Sequence, residues 1–270
     1  MTQAPMGGWR GWRTERAAFL AAVQFLTRIP VPAYAANADE AKAALRRGVI
    51  YFPLVGLIVG TITGITLALA SSIWPILVAV LLALVIEAWM TGAFHEDAVA
   101  DFCDAFGGGW TRESILTILR DSRIGSFGTV GLGLALALRV SLLTTLPTTL
   151  WIIASCIAAG ALGRSLGLVM MVMLPPVTDR EGLAKDLAQQ LAWREVGLGM
   201  IFTAVTMVPL LLLSPLAVLL ALFASAGWVL WLCGYLRRRI GGVTGDCLGF
   251  ATYVGQLLVL LAVVAMLGMK

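Results

Sequence analysis

Seven apolar stretches organise this chain, each near the roughly 20 residues needed to cross the hydrocarbon of a bilayer. They run approximately over 49–70, 74–93, 127–146, 150–174, 196–213, 215–235 and 248–267. In lipid a backbone must satisfy its own hydrogen bonds, and at this segment length the helix does so. The spacing therefore predicts an all-α fold: a polytopic membrane helix bundle of about seven transmembrane helices. Composition agrees, with 60% hydrophobic and 13% charged residues, against about a quarter charged in a soluble domain. Three pairs of stretches are joined by very short connections at Ser71-Ser72, Pro147-Thr148 and Ser214-Pro215, which read as helical hairpins. No internal repeat or low-complexity segment interrupts them, so residues 1–270 read as one integral-membrane catalytic domain.

The N-terminus lacks the apolar core of a cleavable signal peptide. Residues 14–29 are amphipathic and too short to span; they predict a helix on the membrane surface, ended by Pro30 and Pro32. Trp9, Arg10, Trp12 and Arg13 suit the headgroup layer, and no basic-aromatic patch suits nucleic acid. Residues 37–47 are helix-prone and complete an interfacial arm over 1–47. The basic residues gather on one side of the predicted bundle: Arg46, Arg47, Arg112, Arg120, Arg123, Arg180, Lys185, Arg194 and Arg237 to Arg239, against Lys270 alone on the other. The positive-inside rule then puts the N-terminus and every loop carboxylate in the cytosol, in a cytoplasmic (inner) membrane.

The acidic loop 95–125 is the chemically distinctive part. Asp97, Asp101 and Asp104 fall at i, i+4 and i+7, one face of a helix. Like charges so placed repel, and no Lys or Arg relieves them before Arg112. A divalent cation would; Mg²⁺ takes one or two carboxylates together with substrate phosphates. Asp97, Asp101 and Asp104 are the expected metal ligands, with Asp246 completing the set and Glu96, about 100° round the helix, ranked second. The segment from Asp101 to Ala105 also looks like the front of the DxxDG pattern of CDP-alcohol phosphotransferases, whose second half is missing here.

Gly107 to Gly109 end the acid helix, as a turn or as a phosphate nest. Thr111 is placed to cap a second helix running through 122, which delivers Arg120, Asp121 and Arg123: arginines for phosphate, a carboxylate for metal or a substrate hydroxyl. The sequence 241–246, glycine-rich with Thr244, Gly245 and Asp246, opens a membrane helix as a ligand or metal loop. Arg237 to Arg239 read as a positive-inside stop. His95 is the only histidine; zinc is disfavoured, and a hydrogen-bonding or general-base role fits it. Cys156 and Cys233 read as packing residues, Cys103 and Cys247 as free thiols facing the cytosol. Glu87, Arg139 and Arg164 lie inside spans, where each needs a partner or a cavity. Similar depth pairs Glu87 with Arg164, either as a functional element or as a register-fixing pair.

Taken together these motifs resemble the cobalamin synthase family, the adenosylcobinamide-GDP ribazoletransferases. The resemblance is carried by Phe25 to Pro32, Phe52-Pro53 through Gly56, Thr91-Gly92 through Asp104, Arg120 to Gly125, Gly163-Arg164 and Gly241 to Asp246, in the family's order over nearly the whole chain. Ala98 and Ala105 stand where the family usually has glycine. The resemblance implies that the 3′-hydroxyl of α-ribazole, or of α-ribazole 5′-phosphate, attacks the phosphorus on the aminopropanol arm of adenosylcobinamide-GDP and that GMP leaves. It implies Mg²⁺ as cofactor, Arg120 and Arg123 on the diphosphate, Asp121 or His95 at the nucleophile, and Thr244 and Gly245 at substrate. The lipid bilayer is a further partner; a homo-oligomer and neighbouring cobalamin-assembly enzymes are compatible ones. The competing readings are a small-molecule transporter and a phosphotransferase acting on lipid.

Overall fold

The computed structural model describes residues 7–177 and 191–269; within them every regular element is a helix, apart from one isolated bridge, Pro176 to Val243. Arg180, Lys185 and Lys270 of the expected charge pattern lie outside the described residues. The arm forms α1 (Gly7–Leu26) and α2 (Ala38–Gly48). Asn37 caps α2 by accepting the Glu40 N–H. Glu15 on α1 accepts from Arg47 at 3.0 Å and from the Tyr51 hydroxyl at 2.7 Å, pinning the arm to the bundle. One turn of 3₁₀ helix, Val49–Tyr51, joins α2 to α3 (Phe52–Ala70) without a loop.

The remaining order is α4 (Ile76–Thr91), α5 (Phe94–Gly108), α6 (Arg112–Ile118), α7 (Ser126–Thr144), α8 (Thr149–Met173), α9 (Trp193–Thr206), α10 (Val208–Leu213), α11 (Pro215–Arg239) and α12 (Gly245–Gly268). All three short connections are present, but only α3 with α4 and α10 with α11 pack as hairpins; α7 and α8 are joined at Pro147-Thr148 and diverge, α7 packing against α5 and α8 against α3. Among the described residues five helices are long and apolar enough to cross a membrane, or six if α4 and α5 form one bent span. Seven unbroken spans were expected, and two stretches account for the difference. The 196–213 stretch is broken at Met207 because Pro209, at the start of α10, has no N–H to continue the ladder. The 74–93 stretch yields only the 16 residues of α4, about 24 Å of helix against a hydrocarbon core of about 30 Å.

The central helix is α8, which packs against α3 on one side and α12 on the other. Gly56 and Gly60 of α3 meet the backbone of Gly160 and Cys156 so closely that a Cβ at either glycine would collide with a carbonyl oxygen. Small residues one turn apart allow this approach, and van der Waals packing then replaces the missing hydrophobic drive. The outer surface is correspondingly apolar: Leu134, Leu212 and Phe223 are strongly exposed, as lipid-facing side chains of a membrane bundle are.

Inside the bundle Glu87 of α4 pairs with Arg139 of α7 and not, as depth alone had indicated, with Arg164. Counting residues from a helix end gives depth but not rotation. Cys247, expected to face the cytosol, is fully buried beside the Thr244 hydroxyl, on the side of α12 that faces the bundle. Cys156 and Cys233 are buried as expected, and none of the four cysteines is in a disulfide.

Candidate active site

The site begins at a bend. Gly92 and Ala93 both adopt left-handed backbone, with φ of 70° and 54°, and α5 leaves α4 at 88°. A non-glycine residue there costs about 1–2 kcal/mol, so the surroundings must hold the turn. The segment after α1 does so. The Arg28 N–H donates to the Met90 carbonyl at 2.6 Å, and the Arg28 side chain lies where a Cβ on Gly92 would stand 2.6 Å from Nε. Arg28 belongs to the Phe25 to Pro32 motif, but nothing local in that motif signals this clamp.

The bend lays the acid helix across the end of the bundle. Its apolar side, Ala98, Val99, Phe102 and Ala105, is buried, and Phe102 stacks on Phe250 of α12 with ring centroids 3.8 Å apart. Ala98 adds its methyl group where α5 crosses α12 at Gly249, and a Cβ there would stand 2.5 Å from it. Gly249 supplies the missing Cβ that lets the two helices cross there. Asp97 and Asp101 flank Ala98, Asp97 exposed and Asp101 half-buried, and half-buried Asp246 lies one turn before Gly249.

The three aspartates do not act alike. Asp104 accepts the backbone N–H of Gly125 at 2.6 Å and of Gly128 at 2.8 Å, capping α7 from another helix. That bond folds the 121–125 loop back beside α5, so that Asp104, Gly108, Asp121 and Arg123 line one open cleft. The second helix stops at Ile118 instead of running through 122, and Arg120, Asp121 and Arg123 occupy the turns beyond it. Arg123 and Asp121 grip each other, with Nη2 2.6 Å from the carboxylate. The hydrogen bonds from the Arg123 side chain and backbone hold the half-buried Asp121 carboxyl down at about 2.

Glu96 turns inward, its Oε1 3.6 Å from Arg139 and its Oε2 without a hydrogen-bond partner. Among the described residues no three His, Cys, Asp or Glu side chains stand together as a ready metal cage; the expected trio does not converge, because Asp104 is turned to α7. The oxygen donors of Asp97 and Asp101 still fit Mg²⁺, which needs one or two carboxylates and draws the rest from phosphate and water.

His95 is buried on the far side of α5 from the Asp121–Arg123 cleft. It lines a second pocket with Arg164, Gly245 and Thr252. Thr244 caps α12 by accepting the Cys247 N–H, and Val243 pairs with Pro175 and Val177 to fix the turn before it. The loop ends are cross-tied: Arg239 donates to Gly109 at 2.7 Å, Arg112 to Ile240 at 3.2 Å and Arg237 to Met173 at 2.9 Å. Of the arginines that read as a stop, Arg239 thus also pins the glycine run, whose first two members are the last turn of α5. The structure therefore joins Asp104 with Asp121 and Arg123, and His95 with Gly245, in two pockets on either side of α5.

The family model for cobalamin-5-phosphate synthase matches residues 18–264. The chain is similar to the adenosylcobinamide-GDP ribazoletransferase of Ralstonia pickettii (strain 12J), 38% identical over 264 residues, covering 94% of this chain and 97% of the relative. That of Shewanella frigidimarina (strain NCIMB 400) is 36% identical over 273 residues, covering 96% and 98%. That of Leptospira interrogans serogroup Icterohaemorrhagiae serovar copenhageni (strain Fiocruz L1-130) is 35% identical over 253 residues, covering 91% and 94%. No solved structure matches. The match runs from α1 into α12 and includes the bend, the acid helix and the 121–125 loop: the chain belongs to the cobalamin-5-phosphate synthase family.

Proposed function

We propose that this chain performs the reaction its relatives are named for. It transfers the adenosylcobinamide-phosphoryl group of adenosylcobinamide-GDP to α-ribazole or α-ribazole 5′-phosphate, releasing GMP. The structural observation that carries the reading is the Asp104 carboxylate on the Gly125 and Gly128 amides. It brings together two motifs about 20 residues apart, an acid helix and an arginine loop, in the pairing that cleavage of a diphosphate requires.

In the reaction the acceptor hydroxyl oxygen forms a bond to the phosphorus bearing the aminopropanol arm. The bond from that phosphorus to the bridging oxygen of GMP breaks, and the hydroxyl proton passes to a base. Arg123, released from Asp121, and Arg120 hold the diphosphate; His95 or Asp121 orients the hydroxyl. Asp97 and Asp101, with Asp246 one turn from Gly249, would hold Mg²⁺. Bound there, the cation would neutralise charge building on the leaving phosphate. Asp104 supports the loop, and Glu96 belongs to the buried charge network. The site faces the cytosol of an inner-membrane protein on the positive-inside argument. A transporter fits less well, since Glu87 and Arg139 inside the bundle are spent on each other.

The test is release of GMP by the purified protein in liposomes given adenosylcobinamide-GDP, α-ribazole or its 5′-phosphate, and Mg²⁺. Product from the wild type is expected; none with either acceptor removes the proposal.

A further inference from the structure

The N-terminal arm holds a concentration of positive charge that the proposed reaction does not use. Arg13, Arg16, Ala17 and Leu20 of α1 fall at i, i+3, i+4 and i+7, one face of the helix, and line a cleft of about 460 Å³. The other wall is the chain that turns back after α1, Ala33 to Ala36. Pro30 and Pro32 keep that chain out of a helix, and the Tyr34 hydroxyl donates to the Gln24 side chain at 2.6 Å, tying it to α1. Arg13 and Arg16 are exposed. Among the described residues neither is paired with a carboxylate; Glu15 on the same helix is taken by Arg47. No carboxylate among the described residues lines the cleft. The Glu40 carboxylate is held at its end by the Ala36 N–H and the Asn37 amide.

The spanning helix α3 sets the depth of this cleft. Its 19 residues make about 28 Å of helix, close to the hydrocarbon thickness of about 30 Å. Phe52, the first of them, therefore stands at the cytosolic edge of the hydrocarbon. α1 crosses the chain just there: a Cβ on Gly48 would stand 2.5 Å from the Ala18 carbonyl oxygen, and Phe25 stacks on Phe52 with centroids 5.8 Å apart. The arm thus lies at the depth of the lipid phosphates. Its apolar side, Ala18, Ala21, Ala22, Val23 and Leu26, is buried against the bundle and is not free for lipid. The side that carries Arg13 and Arg16 is turned outward, with Trp12 beside them 66% exposed, a residue type that favours the headgroup layer.

We infer that the cleft binds the headgroup of an anionic phospholipid, its phosphodiester held between the Arg13 and Arg16 guanidiniums and its glycerol end against Ala17 and Leu20. Guanidinium suits phosphate oxygens because it offers planar, paired N–H donors. An anionic headgroup is preferred to a choline one, which would bring a further cation into a cleft that already has two. The bound lipid also steadies the arm whose Arg28 N–H holds the Met90 carbonyl at the bend before α5. The assignment rests on the arm and on the depth of α3, and stands whatever reaction the acid helix performs.

The experiment is native mass spectrometry of the full chain in detergent with phosphatidylglycerol or phosphatidylcholine added, beside hydrogen exchange in nanodiscs of each lipid. The wild type should retain one phosphatidylglycerol about 10-fold more tightly than phosphatidylcholine, and phosphatidylglycerol should slow amide exchange over residues 33–36. Arg13→Gln with Arg16→Gln should bring phosphatidylglycerol to the level of phosphatidylcholine and remove that protection. Arg13→Lys with Arg16→Lys keeps both charges and loses the planar donors; it should cost about 3-fold. Arg238→Gln removes an exposed charge from the end of α11 instead, and should change neither reading. No preference between the lipids in the wild type, or a loss in Arg238→Gln equal to that in Arg16→Gln alone, would overturn the inference and leave only general attraction of charge. Displacement of the retained lipid by millimolar glycerol 3-phosphate or inorganic phosphate would also overturn it, giving the cleft to a soluble phosphate.

Discussion

Arg139 Nη2 lies 2.7 and 2.8 Å from the two carboxylate oxygens of Glu87, joining α7 to α4 inside the bundle. The Thr63 hydroxyl of α3 is 2.7 Å from the same carboxylate, and the Gln256 amide oxygen of α12 accepts from Arg139 at 3.2 Å. Four helices thus share one polar knot. Removing one charge strands the other, which costs about 3–5 kcal/mol. Arg139→Met should therefore lower the melting temperature in detergent sharply, and the double variant Glu87→Gln with Arg139→Met should recover much of the loss. A double variant as unstable as the sum of the singles would show that the two residues are not coupled.

The contact of α3 with α8 predicts a steep size dependence. Gly56→Ala would press a methyl group into the Gly160 carbonyl, and no flexible side chain is there to yield. A loss of about 1–3 kcal/mol or more is expected, read as reduced folded yield by size-exclusion chromatography and a lower melting point. Gly133 is the matched control: it lies mid-helix in α7 with nothing within 4 Å, and Gly133→Ala should be neutral or stabilise by up to about 1 kcal/mol. Equal effects at the two sites would contradict the packing.

Protonation of the Asp121–Arg123 pair has a definite sign. Asp121 is lowered to about 2 by Arg123, so the contribution of the pair is complete above the ordinary carboxylate pKa of about 3.9 and is lost only as pH falls toward 2. Between pH 5 and 8 the pair stays ionised, and any step in the pH–rate profile there belongs to another group. Asp121→Asn should lower the rate without changing the shape of that profile. A step present in the wild type and missing in Asp121→Asn would assign the titration to Asp121 and contradict the structure. Because both side chains reach solvent, salt should loosen the pair.

Much of this architecture was legible in the sequence, and the parts that were not share a cause. The short connections at Ser71-Ser72, Pro147-Thr148 and Ser214-Pro215 follow from hydropathy and length, which are properties of a segment; that α7 and α8 do not then pack together is not. The cap at Thr111 follows from local chemistry. The bend at Gly92-Ala93 was hidden because alanine gives no sign of a left-handed backbone, and its stabilising partner, Arg28, lies more than 60 residues away. Glu87 with Arg139, Asp104 with Gly125, and Ala98 with Gly249 are likewise relations between segments, set by helix rotation. Spacing makes the acid stripe a single unit, yet packing divides it, giving Asp104 to the loop while Asp97 stays exposed and Asp101 half-buried.

That division can be tested on the proposed metal. If Asp97 and Asp101 hold Mg²⁺ and Asp104 holds the loop, the three asparagine substitutions should separate in kind. Asp97→Asn and Asp101→Asn should raise the Mg²⁺ concentration giving half-maximal GMP release by at least about 10-fold, with amide exchange in residues 121–128 unchanged. Asp104→Asn retains one acceptor oxygen and loses the charge and one of two amide partners, a cost of about 1–3 kcal/mol. It should speed exchange across 121–128 and raise KM for adenosylcobinamide-GDP, with the Mg²⁺ midpoint unmoved. An Mg²⁺ midpoint shifted most by Asp104→Asn would place the cation back on the full stripe, and would require Asp104 to exchange its amide partners for metal during turnover.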